Sequence, residues 1–353
     1  MRKTNITIFV IALLVFAATF LLSLVSFPGS ETNQRSPENR AFTSETPKGK
    51  QNLKLSDKGI YSLMGKKRAQ VLQSIGKPER IDPTNYGYQW YIYGRNTERY
   101  VQIGIDRTNG TVTTIYALGR KLNTTPFPIG TSSQKIYEKV PISDEVAMTD
   151  RGTKINFELN EEDMMIRPLL KFGKYWVQLN FDHISDRLVA IRYMSAAVLA
   201  RQHPYSMTYY GQLPRLPSLA AKQWEAVDAG SDQEIFDISN LLRYRYKKPM
   251  LTWSAEAHQA AFKHSREMKI RNYFSHDSKW SGNLKTRLQR EHITFEMAGE
   301  NIAAHYPDAA AVSLGWLNSP DHRENLLNRS FSQLGVGSYR DYYTQDFVLP
   351  MND

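Results

Sequence analysis

The chain has 353 residues, 41% hydrophobic and 23% charged, with 45 Lys and Arg against 35 Asp and Glu and a formal net charge of +10. That length is too great for one small core and predicts two or three domains. Cysteine is absent, which excludes disulfides, thiolate zinc sites and a cysteine nucleophile, and an exported chain without cysteine points to a bacterial envelope.

Arg2 and Lys3 precede an apolar run from Ile6 to Phe27, broken only by Thr7, Thr19, Ser23 and Ser26. The run is long enough to cross a bilayer as a helix. It ends in Leu24-Val25-Ser26-Phe27-Pro28, which offers no clear small-x-small cleavage site. Residues 1–30 therefore read as a signal anchor, with a cleaved secretory signal as the alternative. Basic residues ahead of the helix place the N-terminus in the cytoplasm and the rest of a single-pass cell-membrane protein outside. Export and the lack of an RNP, zinc-finger or helix-turn-helix pattern argue against nucleic acid. The basic balance would suit anionic components of the cell envelope, although a solvated basic surface explains it as well. Residues 31–54 are rich in Ser, Thr, Pro, Asn and charge and read as a disordered linker.

From 55 to 198 the pattern predicts a compact α+β domain built twice from a helix and an antiparallel meander. In the first copy a helix over 66–75 precedes strands over 86–93, 100–105 and 111–118, with Asn109-Gly110 as a hairpin turn. In the second, a short helix through Tyr137 precedes strands over 154–159, 164–172, 175–181 and 188–194. Glu161-Glu162-Asp163 reads as a solvated turn. Residues 199–230, punctuated by His203-Pro204, Leu213-Pro214 and Leu216-Pro217, read as a connector. Helical periodicity resumes near Asp232, with Ile235, Ile238, Leu241 and Leu242 on one stripe.

The chemistry-bearing residues fall in 231–353. The segments are Asn240-Leu-Leu-Arg243, Leu251-Thr-Trp253, Asn272-Tyr-Phe-Ser-His276, Gly299-Glu300-Asn301-Ile302, Trp316-Leu-Asn318-Ser319-Pro320-Asp-His322-Arg323, Asn325-Leu-Leu327 and Leu334-Gly335-Val336-Gly337. Together they resemble the CAP superfamily, also called SCP or PR-1-like, and the order of elements before them resembles the CAP-associated N-terminal domain of Bacillus-type proteins.

The resemblance implies an α-β-α sandwich with an open cavity. Carried over by motif, the cavity residues are His276, Glu300 and His322, with Asn301 beside them, and Ser319 stands where the eukaryotic members have a second acid. His276, His322 and Glu300 could hold a divalent metal such as zinc, or they could form a metal-free hydrogen-bond cluster. Ser319-Pro320-Asp321 reads as an N-cap, a proline at the first helical position and an acid in the first turn. Capping is thus the expected role of Ser319, and no Gly-x-Ser-x-Gly elbow supports a serine hydrolase.

His258 and His264, six apart on one helix, do not share a face and are expected to be exposed. Trp253, Trp316 and Phe347 are expected in the core, and His305 is close enough to reach the cavity rim. The expected function is a binding module for an envelope lipid, peptide or wall ligand, with a metal-assisted hydrolase as the alternative. The CAP module is expected to fold without the rest of the chain.

Overall fold

A computed structural model describes residue 55 and residues 57–351. The apolar run Ile6 to Phe27 and the polar segment 31–54 lie outside the described residues. Within them no helix is long and apolar enough to cross a membrane.

The first unit begins with a 3-10 turn, Ile60–Leu63, and helix α1, Arg68–Ile75. Strands β1 (Arg80–Pro83), β2 (Tyr88–Tyr93), β3 (Val101–Asp106) and β4 (Val112–Ala117) follow as an antiparallel meander. Helix α2 (Ser133–Tyr137) leads to the hairpin β5 (Glu145–Asp150) and β6 (Thr153–Glu158). Helix α3 (Glu161–Ile166) then precedes a second meander of β7 (Leu169–Phe172), β8 (Tyr175–Asp182) and β9 (Arg187–Ser195). The two meanders join through β4 and β9 into one seven-stranded sheet of order β1-β2-β3-β4-β9-β8-β7.

Three expectations for this unit need correction. The strand expected over 154–159 does not join the meander. It pairs with β5 and with β10 (Ser206–Tyr210) in a separate three-stranded sheet. The segment 164–172 begins as the last turn of α3 and becomes strand only at Leu169, and Glu161-Glu162-Asp163 is not a solvated turn. It forms the first turn of α3, where Asn160 accepts from the Asp163 backbone N–H at 2.8 Å and buried Asp163 pairs with Arg167. Carboxylates at that position complement the helix dipole.

Strand alternation puts large side chains on both faces of the seven-stranded sheet. Tyr91, Tyr93, Ile103, Val177 and Leu179 pack in one cluster with Val71 of α1 and Ile136 of α2, while Tyr88, Trp90, Ile92 and Trp176 belong to a different one. A sheet buried on both sides must be covered twice. The second cover begins with α4 (Ala196–Gln202) and continues with the C-terminal unit.

That unit opens with α5, Ala221–Arg245, which starts well before Asp232 and includes part of the expected connector. The strand β11 (Thr252–Trp253), helix α6 (Ala255–Arg271) and helix α7 (Leu284–Arg290) come next. Strand β12 (Phe295–Ala304), helices α8 (Ala309–Asn318) and α9 (Pro320–Leu327), and strands β13 (Gln333–Tyr339) and β14 (Tyr342–Pro350) complete it. The sheet order is β11-β13-β14-β12, with β12 at an edge.

Helix α6 lies against β13 and β14 on one face, and α5 packs on β13 from the other, with α8 and α9 in its layer. Leu334 and Val336 share a cluster with Ile235, Ile238, Leu241 and Leu242 of α5. On the opposite face Gly335 and Gly337 lie so close to α6 that an added Cβ would stand 2.1 Å from the Ala257 carbonyl carbon and 1.9 Å from the Phe262 nitrogen. The alternation of large and small residues on β13 sets how near α6 can come.

The two units share one core. A single cluster runs from Tyr88, Trp90 and Trp176 to Leu241, Trp316 and Phe347. Buried charge crosses the same junction: Asp237 takes Arg80 at 2.9 Å and Arg95 at 3.0 Å, Asp308 takes Arg192 at 2.8 Å, and Asp182 takes Arg323 at 2.9 Å. Separation would expose apolar surface on both sides, so this shared core weighs against a CAP module that folds without the rest of the chain.

Candidate functional site: an imidazole and carboxylate network at the edge of the sheet

Helix α6 ends at Asn272, whose left-handed backbone (φ 53°) turns the chain out of the helix. The loop that follows carries His276, whose side chain is 56% exposed. Its far end is fixed by Asn283, which caps α7 by accepting from the Thr286 backbone N–H at 3.0 Å. Arg287 of α7 then reaches back: its guanidinium donates to the carbonyls of His276 and Gly282 at 2.8 Å each.

Glu300 projects from edge strand β12 beneath this loop and is buried. One carboxylate oxygen lies 2.8 Å from Nδ1 of His276 and the other 2.5 Å from Arg287. Burial pushes the Glu300 carboxyl up, but the His276 hydrogen bond and the Arg287 charge outweigh it and hold the group at about 2. Because an ionised carboxylate only accepts, Nδ1 of His276 carries the hydrogen and Nε2 is the ring atom left for a ligand.

Two further groups complete the network. Nε2 of His264 on α6 stands 3.9 Å from Glu300. This residue is fully buried, and neither ring nitrogen has a hydrogen-bond partner. Burial lowers its pKa to about 4, leaving it neutral at physiological pH. Asp346 faces Glu300 in the register of β14 with β12. Burial first and the Glu300 charge second push its carboxyl well above the usual range, which favours the neutral acid.

His322 approaches from the other layer, on α9. Its Nδ1 lies 2.7 Å from the hydroxyl of Ser319. Burial, followed by the neighbouring His276, lowers its pKa to about 4. Ser319 occupies the N-cap position with Pro320 next to it, but its side chain caps no backbone N–H. The hydroxyl is engaged by the imidazole instead, which corrects the expected capping role. His276 bonds Glu300 and is near enough to His322 for its charge to bear on that imidazole.

Asn301, expected in the cavity, is fully buried. Its Nδ2 donates to the His322 carbonyl at 3.0 Å and to Gln345 at 3.1 Å, and its Oδ1 accepts from Asn325 at 3.1 Å. It positions α9 rather than meeting a ligand. Gly299 permits that approach, since a Cβ there would lie 2.6 Å from Oδ1 of Asn325.

His305 lies apart from this network. It is exposed, and its ring bonds Asp341 at 2.8 Å. His258 is partly covered and bonds the Val336 carbonyl at 2.6 Å. Trp316 and Phe347 are buried as expected, and Trp253 is half-buried.

Sequence reasoning missed His264, Arg287 and Asp346. Signals for the first two exist: His264 continues the stripe Ala257, Ala260, Ala261 and Met268, and Arg287 lies three residues after Leu284 beside Leu288. Either position on an apolar phase marks a buried polar group.

A divalent cation held by His276, His322 and Glu300 does not fit this arrangement. Both Glu300 oxygens are already engaged, one of them by a guanidinium whose charge would repel a metal. Among the described residues no three His, Asp or Glu side chains are grouped to hold a metal ion.

The family model described as the cysteine-rich secretory protein family, or CAP, matches residues 236–351, and the CAP-associated N-terminal model matches residues 64–205. The chain is 37% identical to the uncharacterized membrane protein YlbC of Bacillus subtilis (strain 168), over 98% of its own length and 99% of that protein's. The chain belongs to the CAP family.

Among solved CAP-type structures, an extracellular protein containing an SCP domain from Bacillus anthracis str. Ames superposes with a TM-score of 0.79 at 36% identity. The match covers 89% of this chain and 100% of that one. A cysteine-rich secretory protein from Staphylococcus aureus subsp. aureus Mu50 shares the fold, with a TM-score of 0.74, 24% identity and coverage of 82% and 92%. In this CAP protein, which has no cysteine, charged hydrogen bonds tie segments together. Arg243, fully buried, donates to the carbonyls of Pro249, Leu326, Asn328 and Phe331.

Proposed function

We propose that this CAP protein is a binding module displayed outside the cell from an N-terminal membrane anchor, with the exposed edge around His276 as its recognition site. The placement follows from the apolar run Ile6 to Phe27 and agrees with the membrane and extracellular descriptions of its relatives. A wall peptide, wall polymer or lipid head group is the class of ligand expected.

The observation that carries the binding reading is the chemistry of His322. It is the base in hydrogen-bond contact with the Ser319 hydroxyl, and its pKa of about 4 makes it a weak acceptor for a serine proton at neutral pH. Glu300, the one ionised carboxylate in the network, is occupied by His276 and Arg287. What remains free is the exposed edge of the His276 imidazole, oriented by its hydrogen bond to Glu300.

The test compares residues 55–353 with the His276→Ala and His322→Ala variants on purified cell wall and on anionic lipid vesicles. Retention by one of these surfaces, weakened in the variants and without release of new amine or reducing ends, supports the reading. Release of such ends that stops in the variants would replace it with a hydrolase.

A further inference from the structure

Away from the His276 network, a cavity of about 380 Å³ lies between the two units. Ligand sites concentrate at domain junctions and fall in this size range. Aromatic side chains from both units line it, Tyr86 and Trp90 from the first and Trp224, Tyr306 and Tyr343 from the second, among polar and charged groups. Among them sits Glu234 of α5, which is only 3% exposed.

The other charged groups on these walls are accounted for. Asp308 takes Arg192 at 2.8 Å and caps α8 through the Ala311 N–H at 3.0 Å. Asp341 takes Lys269 at 2.6 Å and His305 at 2.8 Å. Arg340 pairs with Asp228 at 3.0 Å and stacks on Trp224 at 4.3 Å. Glu234 alone has neither a hydrogen bond nor an ion pair among the described residues. A carboxyl buried in aromatic surroundings without a partner is costly, and the fold gives it an opening instead of a counter-ion.

The sign of the missing partner follows from its neighbours. Besides its own burial, the groups that act on Glu234 are Asp82 of β1, Asp308 ahead of α8 and Asp237 of α5, opposed by Arg80 of β1. Burial first, then Asp82 and Asp308, push its carboxyl well above the usual range, which favours the neutral acid when no ligand is bound. On the walls themselves the cations Lys269 and Arg340 are already held by Asp341 and Asp228, so the group left to be matched is the Glu234 carboxyl, beside aromatic rings that favour ammonium groups.

We propose that this cleft is a second binding site, which takes a primary ammonium on a short aliphatic stem, such as a lysine side chain presents, with Glu234 as its counter-ion. The ligand's arrival ionises Glu234: the carboxyl releases one proton to solvent and the ammonium keeps its own. Because the walls come from both units, the ligand also bridges them.

The experiment is titration calorimetry on the full chain in detergent, with Nα-acetyl-lysine amide as probe and Nα,Nε-diacetyl-lysine amide as its uncharged counterpart, in two buffers of different ionisation enthalpy. One-to-one binding of the first probe is expected, with a heat that differs between buffers because a proton is released. The diacetyl compound and the Glu234→Gln variant should each bind about tenfold more weakly or worse, with the variant's thermal transition retained. Equal binding of both probes, unchanged affinity in folded Glu234→Gln, or no binding of either probe would overturn the proposal. Should the variant fail to fold, equal heats in the two buffers with the native chain would overturn it.

Discussion

Glu300 meets Arg287, His276 and His264 within 4 Å, and of these three only His276 reaches solvent. Replacing the carboxylate by Glu300→Gln would leave the Arg287 charge buried without its counter-ion. The expected loss is about 3 kcal/mol, measured by urea unfolding at neutral pH, and an unchanged midpoint would show the ion pair to be dispensable. The pH dependence has a definite direction. His264 and His322 sit near 4 when folded against an ordinary 6.5, so the folded state resists protonation. Stability present above 6.5 is lost as pH falls toward 4. Glu300 acts lower, between its ordinary 4.5 and about 2. His264→Phe should therefore flatten the decline below 6.5 by about 1 kcal/mol or more at pH ~5, and a slope as steep as in the native chain would count against the burial argument. His276, Glu300, His322 and Ser319 were legible because each sits in a recognisable local segment. The Ser319 hydroxyl was misassigned because a cap and a histidine three residues later compete for the same oxygen, and a sequence does not say which wins.

Helix α6 rests on β13 through two glycines, and this contact gives Leu334-Gly335-Val336-Gly337 its physical meaning. A Cβ at Gly337 would strike helix backbone at Phe262 and Ala261, which cannot rotate away as a side chain can. Gly337→Ala should destabilise by about 3 kcal/mol or more, read as a lowered melting temperature or loss of soluble protein; a variant that melts like the native chain would mean that α6 is free to shift. The glycines could be read as a pattern, but not their purpose, since the helix they admit lies some 75 positions earlier in the chain. Similar limits apply to other elements. Strand β5 was missed because Glu145–Asp150 alternates too weakly, with two acids at its ends. The first turns of α5 were missed because Ala221–Ala229 shows little apolar face until it meets the first unit. The stripe Ile235, Ile238, Leu241 and Leu242 was plain, and all four residues are fully buried.

At the scale of the molecule, the seven-stranded sheet is the middle layer, and α5 and α8 of the CAP unit help cover its second face. The sequence marks two units by their motifs, and nothing local in it reveals that they share a core, because that depends on pairings such as Asp237 with Arg80 and Glu98 with Arg245. The arrangement makes a thermodynamic claim. If the common cluster from Trp90 to Phe347 governs stability, residues 55–353 unfold as one cooperative unit, since loss of either half strips apolar cover from the other. A calorimetric scan should give one transition whose calorimetric and van't Hoff enthalpies agree. The fragment 221–353, which keeps α5 intact, should be poorly folded alone and should regain a cooperative transition when mixed with 55–210. Asp237→Asn, which weakens the junction by loosening the hold of α5 on Arg80 and Arg95, should lower that single transition without splitting it. Two resolved transitions in the native chain, or a fragment 221–353 that melts as sharply as the whole, would show that the CAP unit carries its own core and that the junction only joins finished domains.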